Sequence, residues 1–105
     1  MAIMEISVVP IGTESTSVSP FVAECVKIVE QQGLTYEVTS MGTEVEGAVD
    51  DLLTLAAQMH QAPFTQGAQR VLTIIRIDER RDKELRIAGK KAAVLKRLRE
   101  MGIER

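Results

Sequence analysis

Two kinds of apolar periodicity alternate along this chain, in an order that few folds can accommodate. Met4, Ile6 and Val8 alternate with polar residues, which is typical of a strand with one buried face. Apolar residues then recur every three to four positions over residues 18–29, which predicts an amphipathic helix that ends near Gly33. The chain therefore begins with a strand, a polar loop and a helix.

The loop between this strand and this helix is rich in hydroxyl groups. Pro10 and Gly12 are predicted to end the strand. Ser17 or Ser19 is predicted to cap the helix, and Pro20 suits its first turn. Amides and hydroxyls at a helix N-terminus can hold a polar ligand. An ordinary capped loop explains the same residues, and both interpretations stay open.

A hairpin and a second helix follow. Alternation over residues 34–40 and 43–47, joined by a Met41-Gly42 turn, predicts two antiparallel strands. Residues 48–62 carry a helical stripe of apolar side chains, so they are predicted to form a helix that Pro63 ends.

The last part of the chain predicts a strand and a basic helix. Residues 71–78 form an almost continuous β-prone run, which predicts a strand buried on both faces. Leu72 and Ile74 would lie on the side that two helices cannot cover, so we expect an oligomer. Asp82 is predicted to cap a final helix with the apolar stripe Leu85, Ala88, Ala92, Leu95 and Leu98.

The order strand, helix, strand, strand, helix, strand is the split βαβ pattern. It predicts an α+β fold, a ferredoxin-like βαββαβ sandwich in which both main helices lie on one face of an antiparallel sheet, plus an added C-terminal helix. With 105 residues, the chain suits a single domain over 1–105.

Charge is distributed unevenly. Residues 1–69 hold one lysine and nine acidic residues, a net charge of −8, whereas residues 70–105 hold twelve basic and six acidic residues, a net charge of +6. We therefore expect the basic helix to dock on the acidic part of the same protein. The sequence has no apolar segment long enough to cross a bilayer and no signal-like N-terminus, so a cytoplasmic location is expected.

The signals of common active sites are missing from the sequence. It contains no phosphate-binding or dinucleotide-binding glycine motif and no Cys-x-x-Cys pair. Cys25 is the only cysteine and lies on an apolar helix face, and His60 is the only histidine. We therefore expect no catalytic residue, no metal site and no resident cofactor.

Several segments together resemble a known family. They are I-G-T after the first strand, the hairpin Y-E-V-T-S-M-G-T-E-V-E-G, H-Q-A-P-F-T-Q-G-A-Q-R-V and I-R-I-D-E-R-R-D-K. From about Ile3 to Val94 the chain resembles the small thiamine-binding, YkoF-like family. The resemblance implies a ferredoxin-like fold, self-association through the sheets into dimers or tetramers, and binding of thiamine or its hydroxymethylpyrimidine part without catalysis.

With that ligand in view, the candidate site lies on the sheet face turned away from the helices. Tyr36 would stack on the ligand ring, although core packing is equally ordinary for it, and Phe21 or Phe64 could stack instead. Glu46 would bind the thiazolium or the aminopyrimidine, or else pair with Arg76. The predicted ligand-binding set is Ser7, Gly12, Thr13, Ser19, Tyr36, Thr43, Glu46 and Arg76.

Two other functions are compatible with the same sequence. The basic run from Arg80 to Arg99 favours a nucleic-acid-binding module, but the fourth strand lacks the stacking aromatics of such sheets. A small hydrolase or isomerase would have only Glu46, Arg76 and Ser7 as candidate catalytic side chains. Thiamine binding remains the preferred interpretation.

Overall fold

The computed structural model describes residues 1–13 and 16–104. It contains four strands and three helices within those ranges. They are β1 (Ala2–Pro10), α1 (Ser19–Gln32), β2 (Tyr36–Val38), β3 (Thr43–Gly47), α2 (Val49–Thr65), β4 (Val71–Glu79) and α3 (Ile87–Glu100). The predicted ferredoxin-like order with an added C-terminal helix is confirmed.

The four strands form one antiparallel sheet in the order β2-β3-β1-β4. Side chains alternate between its two faces. The inner face packs against α1 and α2, and it supplies buried residues such as Met4, Ile6 and Val45. The outer face carries the alternate positions, including Glu5 and the partner that lies opposite it on β4, Arg76.

The ends of α1 and the hairpin follow local sequence signals. Gly33 ends α1 with φ at 71°, a left-handed conformation that glycine adopts without a steric penalty. The predicted hairpin is confirmed, and Thr39 N–H donates to the carbonyl of Gly42 at 2.8 Å across its turn. The predicted strand over residues 34–40 is shorter, because only 36–38 pair with β3. Neither serine caps α1, whose N-cap is Val18.

The prediction that Pro63 ends the second helix is wrong. Helix α2 continues to Thr65, and Pro63 lies fully buried in its last turns. A proline removes the N–H that would bond to the carbonyl four residues earlier, here Met59. The Cys25 thiol donates to that carbonyl instead, with a sulfur to oxygen distance of 3.5 Å. A side chain of α1 thus takes the place of the missing amide.

The prediction that the fourth strand is buried on both faces is also wrong within one chain. Leu72 and Ile74 on the outer face are about half exposed, and Ile75 and Ile77 on the inner face are 40% and 38% exposed. Strand β4 is an edge strand, and α2 covers only its beginning, where Val71 packs on the core.

Helix α3 docks on the outer face through its first turn. Asp82 does not cap it, because its carboxylate is paired with Arg80 at 2.6 Å and the helix begins only at Ile87. Leu85 and Ile87 are buried against Ile3 of the outer face. The expected docking of the basic helix is thus confirmed for this turn.

Beyond its first turn, α3 is mostly exposed. Two of its lysines tie it to the sheet edges: Lys90 pairs with Asp78 at 2.9 Å, and Lys91 pairs with Glu37. The remaining cations Lys96, Arg97 and Arg99 make no ion pair with any residue that the structure describes.

Candidate functional site

A cavity of about 160 Å³ lies at one end of the molecule, between the inner face of the sheet and the N-terminal half of α1. We call it the end cavity. It is lined by Ile6, Ser7, Val8, Val9, Val18, Val22, Cys25, Thr39, Ser40, Met41, Gly42, Thr43 and Met59. All of these residues are uncharged at pH 7, and the thiol of Cys25 is the only group of the lining that can ionise.

The end cavity exists because β3 is shorter than its neighbour. Strand β1 pairs with β4 as far as Pro10, but its pairing with β3 stops at Ile6. The backbone of Ser7 to Val9 therefore presents N–H and C=O groups toward the cavity side, where no described strand pairs with them. A strand edge of this kind offers donors and acceptors to a ligand, as it would to another strand.

The β2–β3 turn closes one wall of the end cavity by approaching β1 closely. A Cβ at Gly42 would lie 2.8 Å from the carbonyl oxygen of Ile6, so only glycine fits there without a shift of the backbone. The Thr39 hydroxyl donates to the Gly42 carbonyl at 2.9 Å and accepts the Met41 N–H at 3.3 Å. These bonds fix the turn against the strand edge.

Apolar side chains form the floor of the end cavity. Ile6 and Val8 come from β1, Val22 from α1 and Met59 from α2. The polar groups lie at the turn side, with the hydroxyls of residues 39, 40 and 43. An apolar floor with a few polar groups on one side is the usual construction of a small-molecule site.

Cys25 is the one nucleophilic group in the lining. Its side chain is buried and donates to the Met59 carbonyl. Burial, with a smaller contribution from the negative charge of Glu24, raises the pKa of the Cys25 thiol above its usual range. The sulfur is therefore a neutral part of the wall at pH 7 and a poor nucleophile.

The structure separates the eight predicted ligand-binding residues. Thr43 and Ser7 line the end cavity. Ser7 lies opposite Ile74 in the sheet, so its side chain points to the outer face and its backbone faces the cavity. Gly12 and Thr13 belong to the loop beyond β1, and Ser19 is the first residue of α1. None of the three lines the end cavity.

Tyr36 lies on the inner face, because its partner across the hairpin is Val45. Its ring is half buried against the core, and its hydroxyl donates to a Glu30 carboxylate oxygen at 2.7 Å. This hydrogen bond, with smaller contributions from desolvation and from the charge of Glu30, raises the pKa of Tyr36. Tyr36 thus lies outside both the end cavity and the outer face where it was expected.

Glu46 and Arg76 lie on the outer face as predicted, but each already has a partner. Glu46 is 5% exposed and accepts the Ile87 N–H at 2.5 Å and an Arg86 guanidinium N–H at 3.3 Å. Within the chain, the alternative pairing of Glu46 with Arg76 across the sheet is wrong, since Arg76 pairs with Glu5 at 2.6 Å. Glu46 therefore holds the first amide of α3 from the sheet, while the N-cap residue of that helix is Arg86.

A second pocket on the outer face holds most of the expected charged groups. It measures about 340 Å³ and is lined by Glu5, Glu44, Arg76, Asp78 and Lys90, with Ile3 and Ile77. Its cations and acids neutralise one another through the Arg76–Glu5 and Lys90–Asp78 pairs. A ligand would have to break these pairs, so the end cavity is the better candidate.

Sequence reasoning missed much of the end cavity. Ser40 was assigned only to a strand, Met41 only to a turn, and Cys25 and Met59 only to apolar helix faces. The available signal was the unequal lengths of the first and third predicted strands, since the longer one must present a free edge. Across residues 1–13 and 16–104, no group of three or more acidic, histidine or cysteine side chains is arranged to hold a metal ion.

The fold and the end cavity together define a class: ferredoxin-like domains with a small, uncharged cleft beside a free strand edge. Comparison with known proteins identifies the family within that class. The family model for thiamine-binding proteins matches residues 4–95, and this chain belongs to that family.

Relatives and solved structures resemble this chain over most of its length. The protein YqgV of Bacillus subtilis is 43% identical over 102 residues, which cover 93% of this chain and 98% of YqgV. A hypothetical protein of Methanocaldococcus jannaschii superposes with a TM-score of 0.81 at 32% identity, covering 89% of this chain and 94% of the other. A proposed thiamine biosynthesis/salvage protein of Thermotoga maritima superposes with a TM-score of 0.74 over 89% of this chain and 97% of its own. Because the Thermotoga protein is only 22% identical in sequence, this comparison shows a shared fold and nothing more.

No helix within the described ranges is both long enough and apolar enough to span a bilayer.

Proposed function

We propose that this protein binds thiamine or its hydroxymethylpyrimidine part, with the pyrimidine ring in the end cavity, and carries out no reaction on it. The volume of the end cavity carries this proposal. An apolar cavity of about 150 Å³ holds one benzene ring. The end cavity, at about 160 Å³, therefore accommodates one six-membered ring and leaves the rest of a two-ring ligand at its mouth.

The polar groups around the end cavity match an aminopyrimidine. That ring carries an amino donor next to a ring-nitrogen acceptor, the same pairing of functions that a peptide group presents. The backbone of Ser7 to Val9 offers the complementary acceptor and donor along its free edge. The hydroxyl of Ser40 is close enough to the same space to bind a hydroxymethyl substituent.

Charge favours the unphosphorylated forms. The lining contains no lysine or arginine, and the first 69 residues carry a net charge of −8. A cationic thiazolium is compatible with an uncharged cavity in the acidic part of the chain, whereas a diphosphate would find no cation in the lining to pair with. We therefore infer selectivity for thiamine and free hydroxymethylpyrimidine over thiamine diphosphate.

A binding role without catalysis is consistent with the side chains present. Acid and base catalysis needs a group that can exchange a proton near the bound ring. The end cavity offers only the Cys25 thiol, whose raised pKa keeps its proton on the sulfur. The protein would then store, deliver or sense the vitamin.

Isothermal titration calorimetry with four compounds tests the proposal. We expect thiamine and hydroxymethylpyrimidine to bind with one site per chain, the isolated thiazole alcohol not to bind, and thiamine diphosphate to bind more weakly by about tenfold or more. Absence of binding by all four compounds would remove the function. Preference for the isolated thiazole would remove the assignment of the ring.

Reactivity of Cys25 gives an independent test, because it is the only cysteine. Its raised pKa predicts slow reaction with a maleimide at pH 7 and faster reaction as the pH rises into the range where the buried thiol ionises. We expect saturating hydroxymethylpyrimidine to slow the reaction further, since the ring would cover the sulfur. The rate can be followed by mass spectrometry, and equal rates with and without a bound compound would place the ligand elsewhere.

A further inference from the structure

Met41 is the most exposed large apolar side chain in the part of the chain that the structure describes. It is 79% exposed, and it lines the end cavity from the β2–β3 turn. Among the lining residues only Ser40 and Met41 are exposed, whereas the floor residues Ile6 and Met59 are almost fully buried. The end cavity thus has a closed floor and an open mouth, and Met41 lies at the mouth.

The backbone on both sides of Met41 is held in place, so the side chain is the part that can change position. The Met41 N–H donates to the Thr39 hydroxyl at 3.3 Å, and a Cβ at Gly42 would lie 2.8 Å from the Ile6 carbonyl oxygen. A methionine side chain is unbranched, has three rotatable bonds and adapts its shape to what it contacts. Because most of its surface contacts no other described residue, the Met41 side chain can turn over the mouth.

A ring bound on the floor of the end cavity needs a second apolar contact. Small-molecule sites bury most of the surface of their ligand. The floor covers one face of a flat ring, and the open mouth leaves the other face toward solvent. A thioether sulfur makes favourable contacts with an aromatic ring, and the apolar surfaces of both groups leave water when they pack together. Met41 is the exposed apolar side chain of the lining that can supply this contact.

We propose that Met41 folds over the bound pyrimidine ring and packs its thioether on the ring face that the floor of the end cavity leaves uncovered. This assignment rests on the proposed function, and it makes Met41 a specificity-determining residue of that site. A thioether is only a weak hydrogen-bond acceptor. It therefore favours an aromatic ring at the mouth and disfavours a strongly hydrated group such as a phosphate. Ser40, its neighbour in the turn, remains available to the hydroxymethyl group.

Oxidation by dilute hydrogen peroxide tests whether the ligand covers Met41. The peroxide transfers one oxygen atom to an accessible thioether, which becomes a sulfoxide, and is itself reduced to water. Met101 is the internal control, because it is 70% exposed at the C-terminal end of α3 and does not line the end cavity. We expect saturating hydroxymethylpyrimidine to slow sulfoxide formation at Met41 about tenfold and to leave the rate at Met101 unchanged. Peptide mapping by tandem mass spectrometry gives both rates from one sample.

Met41→Leu and Met41→Gln test the chemistry of the contact. Leucine keeps an apolar side chain, whereas glutamine is close to methionine in length but carries a polar amide. We expect Met41→Leu to lower the hydroxymethylpyrimidine affinity by no more than about threefold and Met41→Gln to lower it about tenfold, as measured by calorimetry. Met101→Gln is the matched control and should keep the parent affinity. Because residues 41 and 101 are both exposed, each variant should fold as the parent does.

The outcomes separate this proposal from the proposed function itself. If the parent binds hydroxymethylpyrimidine but Met41 is oxidised equally fast with and without it, the ring lies away from Met41, and the proposal is wrong while the function stands. Equal affinities of the parent and Met41→Gln would have the same meaning. If the parent binds none of the thiamine compounds, the function and the proposal are both wrong. Protection of Met41 together with weaker binding by Met41→Gln supports both.

Discussion

Val22→Phe is expected to reduce the affinity for hydroxymethylpyrimidine by about a hundredfold or more. Val22 lines the end cavity from α1, and a cavity of about 160 Å³ is nearly filled by one six-membered ring. A phenyl group at residue 22 would therefore occupy the space that the ligand ring needs. Because the new ring fills an existing cavity beside a partly exposed position, the fold should lose little stability, about 1 kcal/mol or less.

Calorimetry and thermal unfolding on the same preparation measure the two effects separately. Val38→Phe is the matched control, since it makes the same substitution at an exposed residue outside the end cavity and should leave the affinity unchanged. Full affinity in folded Val22→Phe would show that the ring binds outside the end cavity.

The secondary structure could be predicted from the sequence because its causes are local. Alternation over the first strand, the helical stripe of α1 and the Met41-Gly42 turn each depend on side chains close together in the chain. The order of these elements then leaves the ferredoxin-like arrangement as the natural solution. Pro63 shows where local reasoning fails, because the Met59 carbonyl that its missing N–H leaves free is bonded by Cys25, a residue of another helix.

The location of the candidate site could not be predicted, since it depends on strand register. Sequence alternation placed Glu46 on the outer face correctly, but it could not say which residue of β2 lies beside it. The observed pairing of Tyr36 with Val45 turns the tyrosine to the inner face. A shift of one residue would have turned it outward, next to Glu46. The side chains of Tyr36 and Glu46, expected in one site, thus point to opposite faces of the sheet, although both residues border a surface pocket at the β2 edge.

The exposure of β4 is a second feature that could not be predicted from the sequence. A run such as Val71 to Ile75 shows that a strand is apolar, but it does not show what covers it. Within one chain α2 covers only the beginning of the strand, and the rest is left to solvent. The expectation of an oligomer and the observed exposed edge therefore have the same physical origin, a strand with more apolar surface than its own chain buries.

Glu46→Ala is expected to destabilise the protein by about 2 to 3 kcal/mol while leaving thiamine affinity unchanged. The Glu46 carboxylate, 5% exposed, accepts the first amide of α3 and a guanidinium N–H of Arg86, so its removal leaves a buried N–H without an acceptor. Glu46→Gln keeps an oxygen for the Ile87 amide and should cost less, about 1 kcal/mol. Glu37→Ala serves as the control, because it breaks a solvent-exposed ion pair to the same helix and should cost under about 1 kcal/mol. Urea unfolding gives the stabilities, and calorimetry gives the affinities. Loss of stability with full thiamine affinity would show that Glu46 attaches α3 to the sheet. A Glu46→Ala variant that stays stable but no longer binds thiamine would contradict this structural role and place Glu46 in the ligand site.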